Sequence, residues 1–203
     1  MNFMDINEAK ARLDELVGKD KYETMIYTAS VITQLLEPYG IKPIIVGGLS
    51  VEIYAQQEYS TRDIDFVSTG YEKLRDILFS LGFKKESRYF YRDDIEVAIE
   101  IPSSDLDGDY DRVLKMIIDE DGNYVYLISL EDIILDRIRA AVHWKSEEDT
   151  IWAFKLLSNQ FERVDLEYLK SHTQTKKELE LLEEWIEQLN RDFPTSEQKK
   201  EDL

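Results

Sequence analysis

Cysteine is absent from this chain of 203 residues, which excludes disulfides and thiolate metal sites. Missing too is any apolar run near the ~20 residues that a membrane-spanning helix needs, so no membrane partner is expected. Met1–Asn2–Phe3–Met4 gives way at once to charged residues, and no signal peptide is expected. Together these absences fit a cytoplasmic address. Cations are the third shortage: 25 Lys and Arg stand against 43 Asp and Glu, a formal net charge of −18. Bulk binding of nucleic acid relies on Lys and Arg along the backbone, so this balance argues against it. A triphosphate arriving with Mg2+ needs only a local positive patch and stays compatible. What is present is enough for a core: 43% of residues are hydrophobic and 33% charged, which excludes a disordered chain. No internal repeat is visible.

Hydrophobic spacing predicts helices over 5–18 and 20–38, punctuated by Gly18 and by Pro38–Tyr39–Gly40. "KPIIVGG" reads as a short buried strand, "LSVEIYAQQ" as a short helix and "DIDFVS" as a second strand. An amphipathic helix with Leu74, Ile77, Leu78 and Leu81 closes at Gly82. From Lys84 the period becomes two. "SRYFYRDDIEVAIEIP" predicts a hairpin turning at Asp93–Asp94, with Val97, Ile99 and Ile101 on one face and Glu96, Ala98 and Glu100 on the other. A loop, a stretch around Val113–Ile118 and a turn at Asp121–Gly122 lead to a strand expected at Tyr124–Ile128. Helices follow over 130–143, 147–158, 165–171 and 176–190, the last opened by a capping box from Thr175 to Glu178. The expected fold is α+β (mixed α/β), a small mixed sheet flanked by helices with a C-terminal helical bundle. Its organisation is N-terminal helices over 1–40, a core over 41–129, a helical region over 130–190 and a polar tail over 191–203.

The chemistry gathers in "VGGLSVEIYAQQEYSTRDIDFV", residues 46–67. Alternation on a strand sends Asp63 and Asp65 to one side while Ile64 and Phe66 face the core. Two carboxylates so placed repel each other unless a divalent cation shares them. The later strand offers a third carboxylate, Glu100 or Glu96, and such an oxygen-rich set suits Mg2+. Gly47–Gly48 ends one strand and opens a helix, where a phosphate can approach backbone N–H groups, and Ser50 adds a hydroxyl. No GKS or GKT follows, so this is not a Walker A loop. Taken singly, each feature has a plainer reading: a tight turn, a strand end near solvent, an edge-strand surface residue. Their order and spacing make the combination far more specific than its parts.

Gly47–Gly48–Leu49–Ser50 followed by Asp63–Ile64–Asp65–Phe66 resembles the signature of the nucleotidyltransferase superfamily, the fold shared with DNA polymerase beta and aminoglycoside nucleotidyltransferases. The likeness is to small bacterial members in particular. "AIEIPSSDL" is similar to the strand that carries their third metal carboxylate, which falls on Glu100. "LISLEDIILDRIRAAVHWKSEEDTIWAFKLL" is similar to their helical segment, with Asp136–Arg137 and His143–Trp144 in matching places. The resemblance spans roughly residues 41 to 170. It implies Mg2+-dependent transfer of a nucleoside monophosphate from NTP to an acceptor, with release of pyrophosphate. Asp63 and Asp65 would hold two metal ions, and Glu100 would complete the site and help deprotonate the acceptor. Gly47, Gly48 and Ser50 would hold the triphosphate. Thr61 and Arg62, just before the first aspartate, and the cation Arg137 are further nucleotide-binding candidates. Two departures stand out: Tyr59 where several small relatives carry a basic residue, and Ser146 where they carry an aspartate. Either would weaken or redirect activity, so an inactive nucleotide-binding or protein-interaction module on the same fold is the alternative.

Other residues have readings of their own. On "EDIILDRIRAAVHW", Ile134, Ile138 and Ala141 form an apolar stripe, which leaves Asp136, Arg137 and Arg139 solvated or paired. His143 reads either as a cap on that helix's terminal carbonyls or as a catalytic group. Trp144 and Trp152 read as packing residues, and "KKELELLEEWIEQL" as a solvated helix face with Leu179, Leu182 and Ile186 inward. The acceptor is open among a small molecule, a protein hydroxyl and an RNA end. RNA would need a basic patch near Lys84, Lys85, Arg88 and Arg92. Some families on this fold act as toxins in toxin–antitoxin or phage-defence systems, so an antitoxin-like partner or a homo-oligomer belongs to the expectation.

Overall fold

The computed structural model describes residues 4–192, and the tail expected over 191–203 lies outside the described residues from position 193 on. The chain divides into two compact units between Ser129 and Leu130.

In the first unit, α1 (Ile6–Asp14) and α2 (Lys21–Leu36) each start at an aspartate, Asp5 and Asp20, whose side chain accepts two of the helix's first N–H groups. Such a cap is worth ~1 kcal/mol. The chain then lays down β1 (Ile44–Val46), α3 (Gly47–Tyr54), β2 (Asp63–Val67), α4 (Tyr71–Ser80), β3 (Lys84–Glu86), β4 (Tyr89–Arg92), β5 (Val97–Ser103), β6 (Leu114–Ile117) and β7 (Tyr124–Leu127). Among the described residues the strands form one seven-stranded mixed sheet in the order β3-β4-β5-β2-β1-β7-β6. β2 runs parallel to β5 and antiparallel to β1. Ile64, Phe66, Val97 and Ile99 all point to one side and join Met25, Ile32, Leu36, Leu74 and Leu78 in a single core cluster. The alternating strands make that cluster possible, because every second residue is apolar.

The expected hairpin between β4 and β5 is present, and its turn runs on through Glu96, which takes a positive φ of 54°. Glu96 therefore lies outside β5 and is exposed. A further hairpin, β3 with β4, was not expected; it turns at Ser87–Arg88, with Ser87 at φ 55°.

In the second unit, α5 (Leu130–Trp144) packs on α6 (Glu147–Asn159), α7 (Leu166–Ser171) and α8 (Lys176–Asp192). Ile134, Ile138 and Ala141 are buried as the stripe predicts, and Leu182 and Ile186 are buried on α8, with Leu179 half-buried. Trp144 corrects its expectation: it is 81% exposed. The next place on the 3.6-residue stripe falls at residue 145, so the indole is turned off the packed face. The capping box is also altered. Glu178 donates its N–H to the Thr175 hydroxyl, but its carboxylate accepts the N–H of Gln174, one residue earlier than a reciprocal box requires.

Candidate active site

Strand register builds the site. Asp65 lies opposite Val46 on one side and Glu100 on the other, while Asp63 lies opposite Ala98. In a parallel pair, opposed residues share a face, so Asp63, Asp65 and Glu100 project together from the side away from the core. Each is half-buried and offers one carboxylate oxygen, and these three oxygens lie within 4.8 Å of one another. Three anions at that spacing repel strongly unless a cation joins them. Hard oxygen donors with open positions suit Mg2+ or a similar divalent ion. The register thus chooses Glu100 over Glu96.

One cation already reaches this cluster. Arg88, on the β3–β4 turn, places Nε 3.3 Å from Glu100 Oε2. Its pKa is raised by a hydrogen bond to the Tyr89 hydroxyl and then by the charges of Glu100 and Asp63, so the guanidinium is held charged. Sequence reasoning named Arg88 only within the basic patch that RNA would need, and the other three members have partners of their own. Arg92 is bound by Asp14 and Asp94, Lys84 by Asp93, and Lys85 donates to the Tyr71 hydroxyl.

The two glycines answer to the same side chains. Gly47 has φ +59°, and a Cβ there would come 2.2 Å from Asp65 Oδ2. A Cβ on Gly48 would come 2.4 Å from the Thr61 hydroxyl oxygen, with the Tyr59 ring also near. Glycine at both places lets the start of α3 press against the Asp65 carboxylate and Thr61. Ser50 is fully buried and donates its hydroxyl to the Gly47 carbonyl at 2.7 Å, which locks this turn from within. Thr61 is buried and donates to Asp63 Oδ1 at 3.2 Å; Arg62 is exposed.

Two residues near the site escaped the sequence. Glu52, on α3, is buried and accepts the Thr61 N–H at 3.1 Å. Burial pushes its pKa up, against the opposing hydrogen bond from Thr61. Its signal was a lone acid in the apolar helix "LSVEIY". Lys21, at the start of α2, donates to the Glu96 carbonyl. Burial lowers its pKa while Glu96, Asp63 and Glu52 oppose the change. Nothing in the sequence pattern marked it.

In the second unit, Arg137 bonds Asp136 at 2.6 Å and Asp149 at 2.8 Å, so this candidate cation already serves two carboxylates. His143 does not cap carbonyls. Its Nε2 lies 2.5 Å from Oε1 of the fully buried Glu178. Ser146 caps α6, accepting the Asp149 N–H at 3.2 Å. Serine and aspartate serve equally at that position of a helix, so the departure at Ser146 exchanges one cap for another.

Residues 20–200 match a protein family described as nucleotidyltransferases of unknown function, DUF6036. None of the curated proteins matches the chain. Among solved structures, an antigenic nucleotidyltransferase-like protein from Paracoccidioides brasiliensis aligns at 16% identity over 85% of this chain and 89% of its own, with a TM-score of 0.50. The antibiotic-resistance factor ANT(2'')-Ia aligns at 14% identity over 84% and 92%, with a TM-score of 0.45. Its complex with adenylyl-2''-tobramycin gives 15% identity over 81% and 94%, with a TM-score of 0.48. At such identities the likeness is one of fold, and of these three the Paracoccidioides brasiliensis protein reaches 0.50.

Proposed function

We propose, for a chain that belongs to the DUF6036 family of nucleotidyltransferases, that it moves a nucleoside monophosphate from NTP to an acceptor in a Mg2+-dependent reaction. One observation carries this reading: the oxygens of Asp63, Asp65 and Glu100 gather within 4.8 Å on one sheet face. These three side chains would hold two Mg2+ ions. The bound metal would supply Lewis-acid activation of the attacking oxygen and neutralise the departing pyrophosphate. Glu100 would also accept the acceptor's proton. Gly47 brings the start of α3 against Asp65, and a triphosphate would bind the first N–H groups of that helix, with Ser50 bracing the turn. Thr61 and Arg62 precede the first ligand and complete the nucleotide contacts, and Arg88 adds positive charge beside Glu100. Arg137 is a candidate cation for phosphate or acceptor, one that would have to exchange Asp136 or Asp149 for it.

The acceptor is a small molecule or a protein hydroxyl in preference to RNA, because Lys84, Arg88 and Arg92, three of the four cations that a basic patch would need, are each paired with a carboxylate. A toxin–antitoxin or defence role, with an antitoxin-like partner or self-assembly, is the biological setting this reading brings with it. Incubation with α-labelled NTPs, Mg2+ and cell extract tests the proposal. Label transferred to a product, and lost in Asp63→Asn with Asp65→Asn, is the expected result. NTP binding without transfer would favour the inactive module instead.

A further inference from the structure

Glu52 sits one layer behind the carboxylate cluster. It is 5% exposed, on an otherwise apolar helix, where an unpaired carboxylate would be costly. Its side chain accepts the Thr61 backbone N–H at 3.1 Å, and the Thr61 hydroxyl in turn donates to Asp63 Oδ1 at 3.2 Å. Gly48 closes the third side of Thr61, leaving no room for a Cβ. The connection that Glu52 spans is otherwise irregular: Gln56 and Gln57 carry φ of 51° and 67° between α3 and β2. Nothing in regular secondary structure holds Thr61 in place there. The buried carboxylate does.

We infer that Glu52 is a positioning residue for the metal ligand Asp63, acting through Thr61. The inference rests on the triad being the metal site. Asp63 is pushed away by Asp65 and Glu100 before a cation arrives, so a hydrogen bond that fixes its rotamer pre-organises the ligand set. Partners behind metal ligands typically change affinity 10- to 100-fold. Glu52 touches neither the metal nor the substrate.

Mn2+ serves as the probe, titrated calorimetrically into the full chain. Glu52→Ala and Thr61→Val should each weaken Mn2+ binding about tenfold, whereas Glu52→Gln, whose amide oxygen still accepts the N–H, should stay within about threefold of wild type. The double variant Glu52→Ala/Thr61→Val should be no weaker than either single one, since both break the same chain. In metal-free protein the Thr61 amide should exchange faster in Glu52→Ala. A purely structural role would lower the melting temperature and leave Mn2+ affinity alone. Should Glu52→Ala not fold, Thr61→Val and Glu52→Gln carry the test. Wild-type affinity in Glu52→Ala or Thr61→Val, with binding lost in Asp63→Asn, overturns the inference and leaves the site standing. Wild-type affinity in Asp63→Asn removes the site and the inference with it.

Discussion

The two units use their acidic residues in opposite ways. In the second, buried or half-buried carboxylates each meet a donor: Glu178 takes His143 and the Gln174 N–H, Asp149 takes Arg137, Asp132 takes the Tyr168 hydroxyl, and Glu131 takes the Asp165 N–H. In the first, three carboxylates crowd one face of the sheet, and Arg88, itself well exposed, reaches one of them. Burial alone does not separate the groups, since Glu131 and Asp132 are more buried than the triad. What separates them is spacing: the triad's three carboxylate oxygens lie within 4.8 Å of one another. Acids set apart, each with donors of its own, hold helices together, whereas the acids gathered at a few ångströms on adjacent strands are the set proposed to hold a metal.

That contrast can be broken by substitution. The largest effect is expected in metal linkage: at a divalent cation concentration about 100 times its Kd, wild type should gain about 2.7 kcal/mol of stability. Asp63→Asn with Asp65→Asn should gain nothing, and in the absence of metal should be no less stable than wild type, because repulsion is relieved. Thermal unfolding with and without Mg2+ reads both. Glu178→Ala should cost about 2 kcal/mol by chemical denaturation, less than a fully enclosed pair because His143 is half-exposed, and should leave metal affinity unchanged.

Acid titration sharpens the same point. Burial pushes the Glu178 pKa up, but hydrogen bonds from His143, the Gln174 N–H and Thr175 outweigh it and hold the carboxyl below its ordinary 4.5. With the folded value depressed, this group's stabilisation is fully present above about pH 4.5 and is lost as pH falls through the folded value. Glu178→Gln should therefore flatten the acid limb of the stability profile below that pH. The smallest effect belongs to Arg88→Ala. It should tighten Mn2+ roughly twofold by freeing Glu100, an exposed-pair effect that fades with salt.

Much of this was legible. The Asp63–Asp65 alternation, the Asp93–Asp94 hairpin and the apolar stripe of α5 follow from periods of 2 and 3.6 that any chain must obey. Residues whose roles depend on what the fold brings beside them were not. Glu52 reads as a misplaced acid until Thr61 folds back onto it, and Arg88 reaches Glu100 only because β3, three charged and exposed residues without an apolar alternation, pairs with β4. The His143–Glu178 pair joins two helices 35 residues apart in sequence, a separation at which no local pattern speaks.

If Asp63, Asp65 and Glu100 hold a divalent metal for a nucleoside triphosphate, triphosphate binding must depend on that metal and on those aspartates. Calorimetric titration of each NTP, with Mg2+ and then with EDTA, into wild type and into Asp63→Asn/Asp65→Asn tests it most directly. At least one NTP should bind wild type only when Mg2+ is present, and the variant should not bind it. Binding that survives unchanged in EDTA or in the variant would contradict that dependence.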